Sequence, residues 1–397
     1  MLLSFQRYLA DTPENADSDF LMLLIEQLKL SSYKSEGRRY SPELVVRAFI
    51  LYSSSRACYE RLLEQGLFYM PSVKTLRRIM SKLDGSTSQE TKEYIKMRTK
   101  SMNEYDINVI LMIDEIYIAS RPESTGGRVS GLTEDGETAN TALCFMVRSL
   151  TSKYRDIIGI YPIKTLTSDA LNDYYIDVMR LLYEVGLNVV AILVDNHPVN
   201  RRFFLYNLCA GEWKPYIQNP FTGNKVYLVF DPTHNIKNLY NNLLSRKIFE
   251  CPSYEMIFEK ETKLCYDDVR SVYEMETTKP LKLAHKLDLT VLQPHNLQKT
   301  SVKLADSFFH ESTINALITY GYRDSADVLT VFRKVWDILN VKTTSAGFHK
   351  RNFNKEPITH LNDPKMIYLR KFREFLLKWK DSRVSWICIQ LHLVFSL

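Results

Sequence analysis

Glycine and proline are scarce in this 397-residue chain, 13 and 14 residues respectively, and 45% of it is hydrophobic. A chain of that composition buries enough apolar surface to fold, which excludes disorder as its overall state. Cysteine is scarce as well. Cys58, Cys144, Cys209, Cys251, Cys265 and Cys388 form no CxxC pair and no Cys/His cluster at zinc-ligand spacing. They read as reduced, mostly buried thiols of an intracellular protein. The opening MLLSFQRYLADTPEN lacks the apolar core and small-residue cleavage site of a signal peptide. No membrane span is expected, because even the apolar C-terminal SWICIQLHLVFSL falls short of the roughly 20 residues that cross a bilayer. That stretch reads as a core element cut short or an abnormal end. A Walker A loop is missing too, since TGGR at 125–128 lacks the GxxxxGK[ST] spacing.

What is present has the size and patterning of a multi-domain protein. The formal net charge of +6 is compatible with nucleic acid without establishing it. Residues 1–104 read as helical, with apolar residues at three-to-four spacing in DFLMLLIEQLKL, SPELVVRAFILYSSSRACYERLLEQ and SVKTLRRIMSKLD. Ser41, Pro42 and Glu43 form a helix start. Ser72 caps a helix carrying Lys74, Arg77, Arg78 and Lys82, which is either the recognition helix of a helix-turn-helix or a solvated basic face.

From 105 to 248 the period changes. INVILMID, TALCFMVRSL and RDIIGIYPI read as strands, with ESTGGRVSGLTEDGET as a hairpin region. A helix follows over SDALNDYYIDVMRLLYEV, with Ser168 or Asp169 as its cap and Gly186 closing it. Strand NVVAILVD, helix PVNRRFFLYNLC, strand KVYLVFD and helix HNIKNLYNNLLSRKI complete the run. Three strands and then alternating helix and strand is the order of an RNase H-like α/β domain. Residues 249–380 read as helical again, and 381–397 as an aberrant or truncated end.

Two apolar runs end in aspartate, Asp114 and Asp195, and a third ends in Asp231. Carboxylates at adjacent strand ends suit Mg²⁺ or Mn²⁺, and a buried Asp114 is costly to desolvate unless a cation relieves it. The competing reading is that each aspartate caps the helix that follows. Glu115 is expected on the opposite face of its strand. Lys237 and the asparagines 235, 238, 241 and 242 form a polar helix face suited to a phosphate backbone.

These segments together resemble the P-element transposase family, including THAP-domain transposases, from about residue 20 to 380. The likeness is carried by GRRYSPE (37–43), PSVKTLRRIM (71–80), LMIDEIYI (111–118), GLNVVAILVDNHPVNRRFF (186–204), VFDPTHNIKNLYNNLL (229–244), KLAHKL (282–287), VKLADSFF (302–309) and WDILNVK (336–342). The resemblance implies a nuclear DNA transposase: an RNase H-like core that cuts and joins DNA with metal held by two Asp and one Glu, interrupted by a helical insertion that binds GTP. It implies Asp114 and Asp195 as catalytic metal ligands. It implies Lys286, Val302, Trp336, Asp337 and Asn340 at guanine-nucleotide contacts, with Asp337 accepting from the base and Trp336 stacking on it. The alternative for WDILN is an ordinary amphipathic helix with Trp336 in the core. DNA and a second copy of the chain are the implied partners.

The sequence also departs from that family. No THAP finger pattern precedes Cys58, a lysine expected before Val302 is Ser301, and no LExxFG-type motif carrying the third acid follows Trp379. Glu374 lies too early to supply it. The expectation is therefore a transposase-like protein with impaired catalysis, or a DNA-binding regulator without nuclease activity.

Overall fold

The computed structural model of the protein describes residues 18–80, 89–100, 102–125, 128–341 and 343–381. Lys82 and the C-terminal 382–397 stretch lie outside them. The chain sorts into two compact units, one of Met1–Val109, Glu115–Lys164 and Ile176–Asn188, the other of Ile110–Asp114, Thr165–Tyr175 and Val189–Leu397.

The first unit begins with helices α1 (Ser18–Ser31), α2 (Pro42–Ser54), α3 (Arg56–Glu64), α4 (Val73–Met80) and α5 (Gln89–Thr99). Ser41 caps α2 as expected, its hydroxyl accepting from Leu44 N at 3.1 Å, and Glu26 of α1 holds the cap in turn at 2.7 Å. The long helix read over 41–65 is in fact two. Ser55, extended at φ −159° and ψ 100°, ends α2 by donating its N–H to Leu51 O and starts α3 by accepting from Cys58 N. A serine that offers both ends a partner outcompetes helix continuation. Ala48, Tyr59 and Leu76 bury together from α2, α3 and α4, and the Tyr59 hydroxyl donates to Pro71 O at 2.6 Å. Three short helices thus share one apolar centre.

A mixed sheet follows. Its strands are β1 (Asn108–Tyr117), β4 (Thr141–Ser149), β5 (Arg155–Ile163), β6 (Asn188–Val194), β7 (Tyr216–Gln218) and β8 (Lys225–Phe230), in the spatial order β5-β4-β1-β6-β8-β7. β2 (Glu123–Thr125) and β3 (Arg128–Ser130) form the expected hairpin between β1 and β4. β4 and β5 pair antiparallel, β6 and β8 parallel. The edge strand β7, antiparallel to β8, was not expected. Between β5 and β6 runs α6 (Ser168–Glu184), whose cap is Thr167 rather than Ser168 or Asp169: the Thr167 hydroxyl accepts from Ala170 N at 3.2 Å.

After β6 comes the short helix α7 (Pro198–Arg202), widening into a π-turn over Phe203–Leu208, and after β8 comes α8 (Pro232–Arg246). The next segment, read as mostly helical, opens with the hairpin β9 (Ile248–Cys251) and β10 (Thr262–Cys265), which the sequence reading did not include. Helices α9 (Tyr266–Glu276), α10 (Leu289–Leu292), α11 (Val302–Phe308), α12 (Glu311–Thr319), α13 (Arg323–Leu339), α14 (Ala346–Lys350) and α15 (Pro364–Asp381) follow. Trp379 of α15 packs against Phe249, Phe332 and Phe375, with ring centroids 6.1, 6.2 and 5.5 Å away. No helix of the described residues is long and apolar enough to cross a membrane.

Candidate functional site

The sheet sets the geometry of the two aspartates. Neighbouring strands β1 and β6 begin level: Asn188 N donates to Ile107 O at 3.0 Å, and the side chains of Asn108 and Asn188 hydrogen-bond at 2.7 Å. Starting together, the two strands run the same way, and Asp114 and Asp195 come six and seven residues later. Both therefore reach the same sheet edge. β6 and β8 are also in register, Val194 opposite Phe230, so Asp231 falls at that edge as well.

The three carboxylates differ in what they do there. Asp114 is exposed, because β1 buries its other face through Val109, Leu111 and Ile113. This exposure corrects the expectation of a buried Asp114 whose desolvation a cation relieves. The strand also continues past it to Tyr117. Asp195 is half-buried, and its Oδ1 accepts from His197 N at 2.9 Å and from Asn200 Nδ2 at 2.7 Å. It thus orders the start of α7 while standing beside β1. Asp231 is a helix cap outright. Its Oδ1 accepts from Thr233 N at 2.9 Å, and its Oδ2 takes the Thr233 hydroxyl and His234 Nδ1. Burial pushes the Asp231 carboxyl up, but His234 and Thr233 outweigh it and hold the group below the usual carboxylate range.

A group whose folded value is depressed adds stability that is present above its unfolded value and fades as pH falls through the folded one. Asp231→Ala should therefore lower stability by about 1 kcal/mol at pH 7, the worth of an N-cap. Denaturation at pH 7 and pH 2.5 should show the difference shrinking at the acid end.

Among the described residues no group of three or more His, Cys, Asp or Glu side chains is placed to hold one metal ion. Asp114 and Asp195 supply hard oxygen donors on adjacent strands, a donor type that fits Mg²⁺ or Mn²⁺ but is incomplete as a set. Glu374 is exposed and paired with Lys371 Nζ at 3.1 Å.

A polar cavity of about 390 Å³ opens beside Asp195. Its walls are His197, Pro198 and Arg201 from the α7 segment and His234, Asn238, Asn241, Asn242 and Ser245 from α8. Asn235, read as part of the polar face, is buried instead against Asn196. Lys237 is half-buried on α8. Arg201 was missed in the sequence, where nothing distinguishes it from Arg202.

The residues at the expected nucleotide site are dispersed in character. Lys286 is exposed, Val302 opens α11 and Asn340 caps the end of α13. Trp336 and Asp337 are buried at 3% and 1% exposure. The indole N–H of Trp336 donates to Asp306 at 2.8 Å. The Asp337 carboxylate meets Arg333 Nη2 at 3.0 Å and Lys355 Nζ at 2.7 Å, and accepts from Asn352 at 3.0 Å. In this arrangement neither a free indole face nor a free carboxylate edge awaits a guanine, which is the amphipathic-helix alternative for WDILN.

On α4, Lys74, Arg77 and Arg78 stand three and four residues apart on one exposed face while Leu76 is buried, and Arg77 donates to the Tyr52 hydroxyl at 3.2 Å.

Residues 85–206 match the family described as TNP-like, RNase H N-terminal domain. Among solved structures, the Drosophila P element transposase strand transfer complex matches with a TM-score of 0.67 at 19% identity, over 96% of this chain and 83% of that one. No curated protein matches. The chain thus shares with that structure a mixed α/β fold containing an RNase H-like core.

Proposed function

We propose that this chain binds DNA in the manner of a transposase and that Asp114 and Asp195 hold Mg²⁺ or Mn²⁺ for cleavage and joining of DNA strands. The observation that carries the reading is the level start of β1 and β6, which brings the two acids to one edge of an RNase H-like sheet. A bound ion supplies Lewis-acid activation of the attacking oxygen and stabilisation of the leaving one. The chain's own part is positional: Asn200 and the His197 N–H fix one oxygen of Asp195, and the exposed Asp114 faces solvent where a strand can approach. Joining two DNA ends needs two such sites, so the proposal includes self-association and a nuclear location.

The absence of a third acid near the pair among the described residues favours a second reading, a DNA-binding regulator with little or no nuclease activity. Neither reading draws on GTP, because Trp336 and Asp337 are buried and already paired within the chain.

The DNA-binding half is tested by titrating a fluorescent duplex with the full chain across salt concentrations. Changing Lys74, Arg77 and Arg78 together to glutamine should weaken binding for all sequences alike and flatten the salt dependence by about one unit of slope for each phosphate no longer neutralised. An unchanged slope would remove α4 from the interface. No binding by the wild-type chain at low salt would remove the reading itself.

A further inference from the structure

The cavity beside Asp195 holds a cation, Arg201, that forms no ion pair among the described residues. Arg201 is half-buried, and its guanidinium makes no hydrogen bond or ion pair among the described residues, while burial alone pushes it below its usual value. Uncompensated burial of a charge costs free energy and is kept where a ligand supplies the partner. A second group in the same wall is also unsatisfied. Asn241 donates its amide N–H to Lys299 O at 3.0 Å, but its Oδ1 is buried with no partner among the described residues.

The rest of the lining sorts by chemistry. Asp195 is the sole acid among the cavity's lining residues, and its Oδ1 is taken up by two neutral donors, His197 N and Asn200 Nδ2, so it forms no ion pair with Arg201 among the described residues. His234 and Asn238 add a ring and an amide, with no hydrophobic wall that suits an apolar ligand. Arginine beside neutral amides is the chemistry that recognises a phosphodiester together with the sugar or base attached to it.

We propose that this cavity is a phosphodiester subsite for the DNA strand being processed, with Arg201 on the phosphate and Asn241 on the adjoining nucleotide. The inference rests on the DNA-strand reading of Asp114 and Asp195. It deepens that reading by fixing where the strand lies: over α7 and the amide face of α8. A free inorganic phosphate or nucleotide shares the phosphate chemistry, so the test separates the sources.

The full chain, without divalent metal, is titrated with a fluorescent duplex as wild type, Arg201→Gln, Arg201→Lys and Arg202→Gln. In parallel, Arg201 is modified with phenylglyoxal in the presence of duplex, inorganic phosphate or GTP, and its labelling is read by peptide mass spectrometry. Arg201→Gln should weaken the duplex about tenfold, the lower end of the effect of removing one charged partner, and flatten the salt slope by about one. Arg201→Lys should retain most of the affinity, Arg202→Gln should leave the salt slope unchanged, and duplex should protect Arg201 better than phosphate or GTP does. The melting temperature of Arg201→Gln should not fall, because the replaced cation has no partner to lose.

If wild type binds and Arg201→Gln binds equally well, the subsite is overturned and the wider DNA reading stands. If phosphate or GTP protects Arg201 as well as duplex does, the strand assignment is overturned in favour of a free anion. If wild type binds no duplex, both the subsite and the DNA reading fall. A melting temperature lowered by several degrees would make Arg201 structural and overturn the subsite.

Discussion

Replacing Asp337 with alanine should lower the unfolding free energy by about 3–5 kcal/mol, the cost of removing one partner from a buried ion pair. Arg333 and Lys355 are 9% and 7% exposed and would be left facing each other without the carboxylate between them. Asp306 softens the effect only in part. It takes another nitrogen of Arg333 at 2.9 Å and the Trp336 indole, but it does not reach Lys355. Urea denaturation followed by tryptophan fluorescence measures the change. The same variant decides between two roles for this residue. A structural centre gives a large loss of stability whether or not GTP is present. A ligand-facing carboxylate gives near wild-type stability and a lost response to GTP, the result that would overturn the packing account.

Asp114→Asn should abolish whatever metal-dependent DNA cleavage the chain possesses, by at least about 100-fold, the scale on which one charge-stabilising group is lost from an active site. Its fold should be unaffected because the side chain is exposed. Asp195→Asn should match the loss in rate and add a modest loss of stability, since its carboxylate also holds His197 N and Asn200 at the start of α7. The assay is cleavage of a labelled duplex with Mg²⁺ and with Mn²⁺, each variant checked by melting. Cleavage surviving in Asp114→Asn would place the chemistry elsewhere. No cleavage by the wild type in either metal, with DNA binding intact, would establish the regulator reading.

Much of this architecture was legible in the sequence because its strands are long β-branched and aromatic runs bounded by turn residues, as in NVVAILVD and KVYLVFD. What escaped were elements too short to show a period. β7 has three residues, and β9 and β10 have four each. In the opposite direction, TKPLKLAHKL looks helical by its leucine spacing but folds as turns, with Leu281 88% exposed. Pro280 removes the backbone donor there, and Glu276 takes the N–H groups of Leu283 and Ala284 instead.

The sites divide in the same way. The sheet-edge aspartates could be read from strand patterning, and the basic face of α4 from residue spacing. The partners of Asp337 could not. Lys355 comes from a separate turn 18 residues further on, and nothing in a linear pattern pairs a WDILN motif with it. Arg201 was invisible for the converse reason, since what sets it apart is the lack of an ion-pair partner among the described residues.

The asparagine clasp at the start of β1 and β6 governs a point far from itself. At about 3.3 Å of rise per residue, Asn108 and Asn188 lie roughly 20 Å from the aspartates, at the opposite end of the same strands. Each residue of slip between the strands would move Asp114 relative to Asp195 by that rise and would turn the slipped strand's side chains to the other side of the sheet. The clasp thus works as the zero mark of a ruler, and the separation of Asp114 and Asp195 is inherited from where that mark is set. A change at either asparagine can therefore alter the spacing of Asp114 and Asp195 without touching either acid.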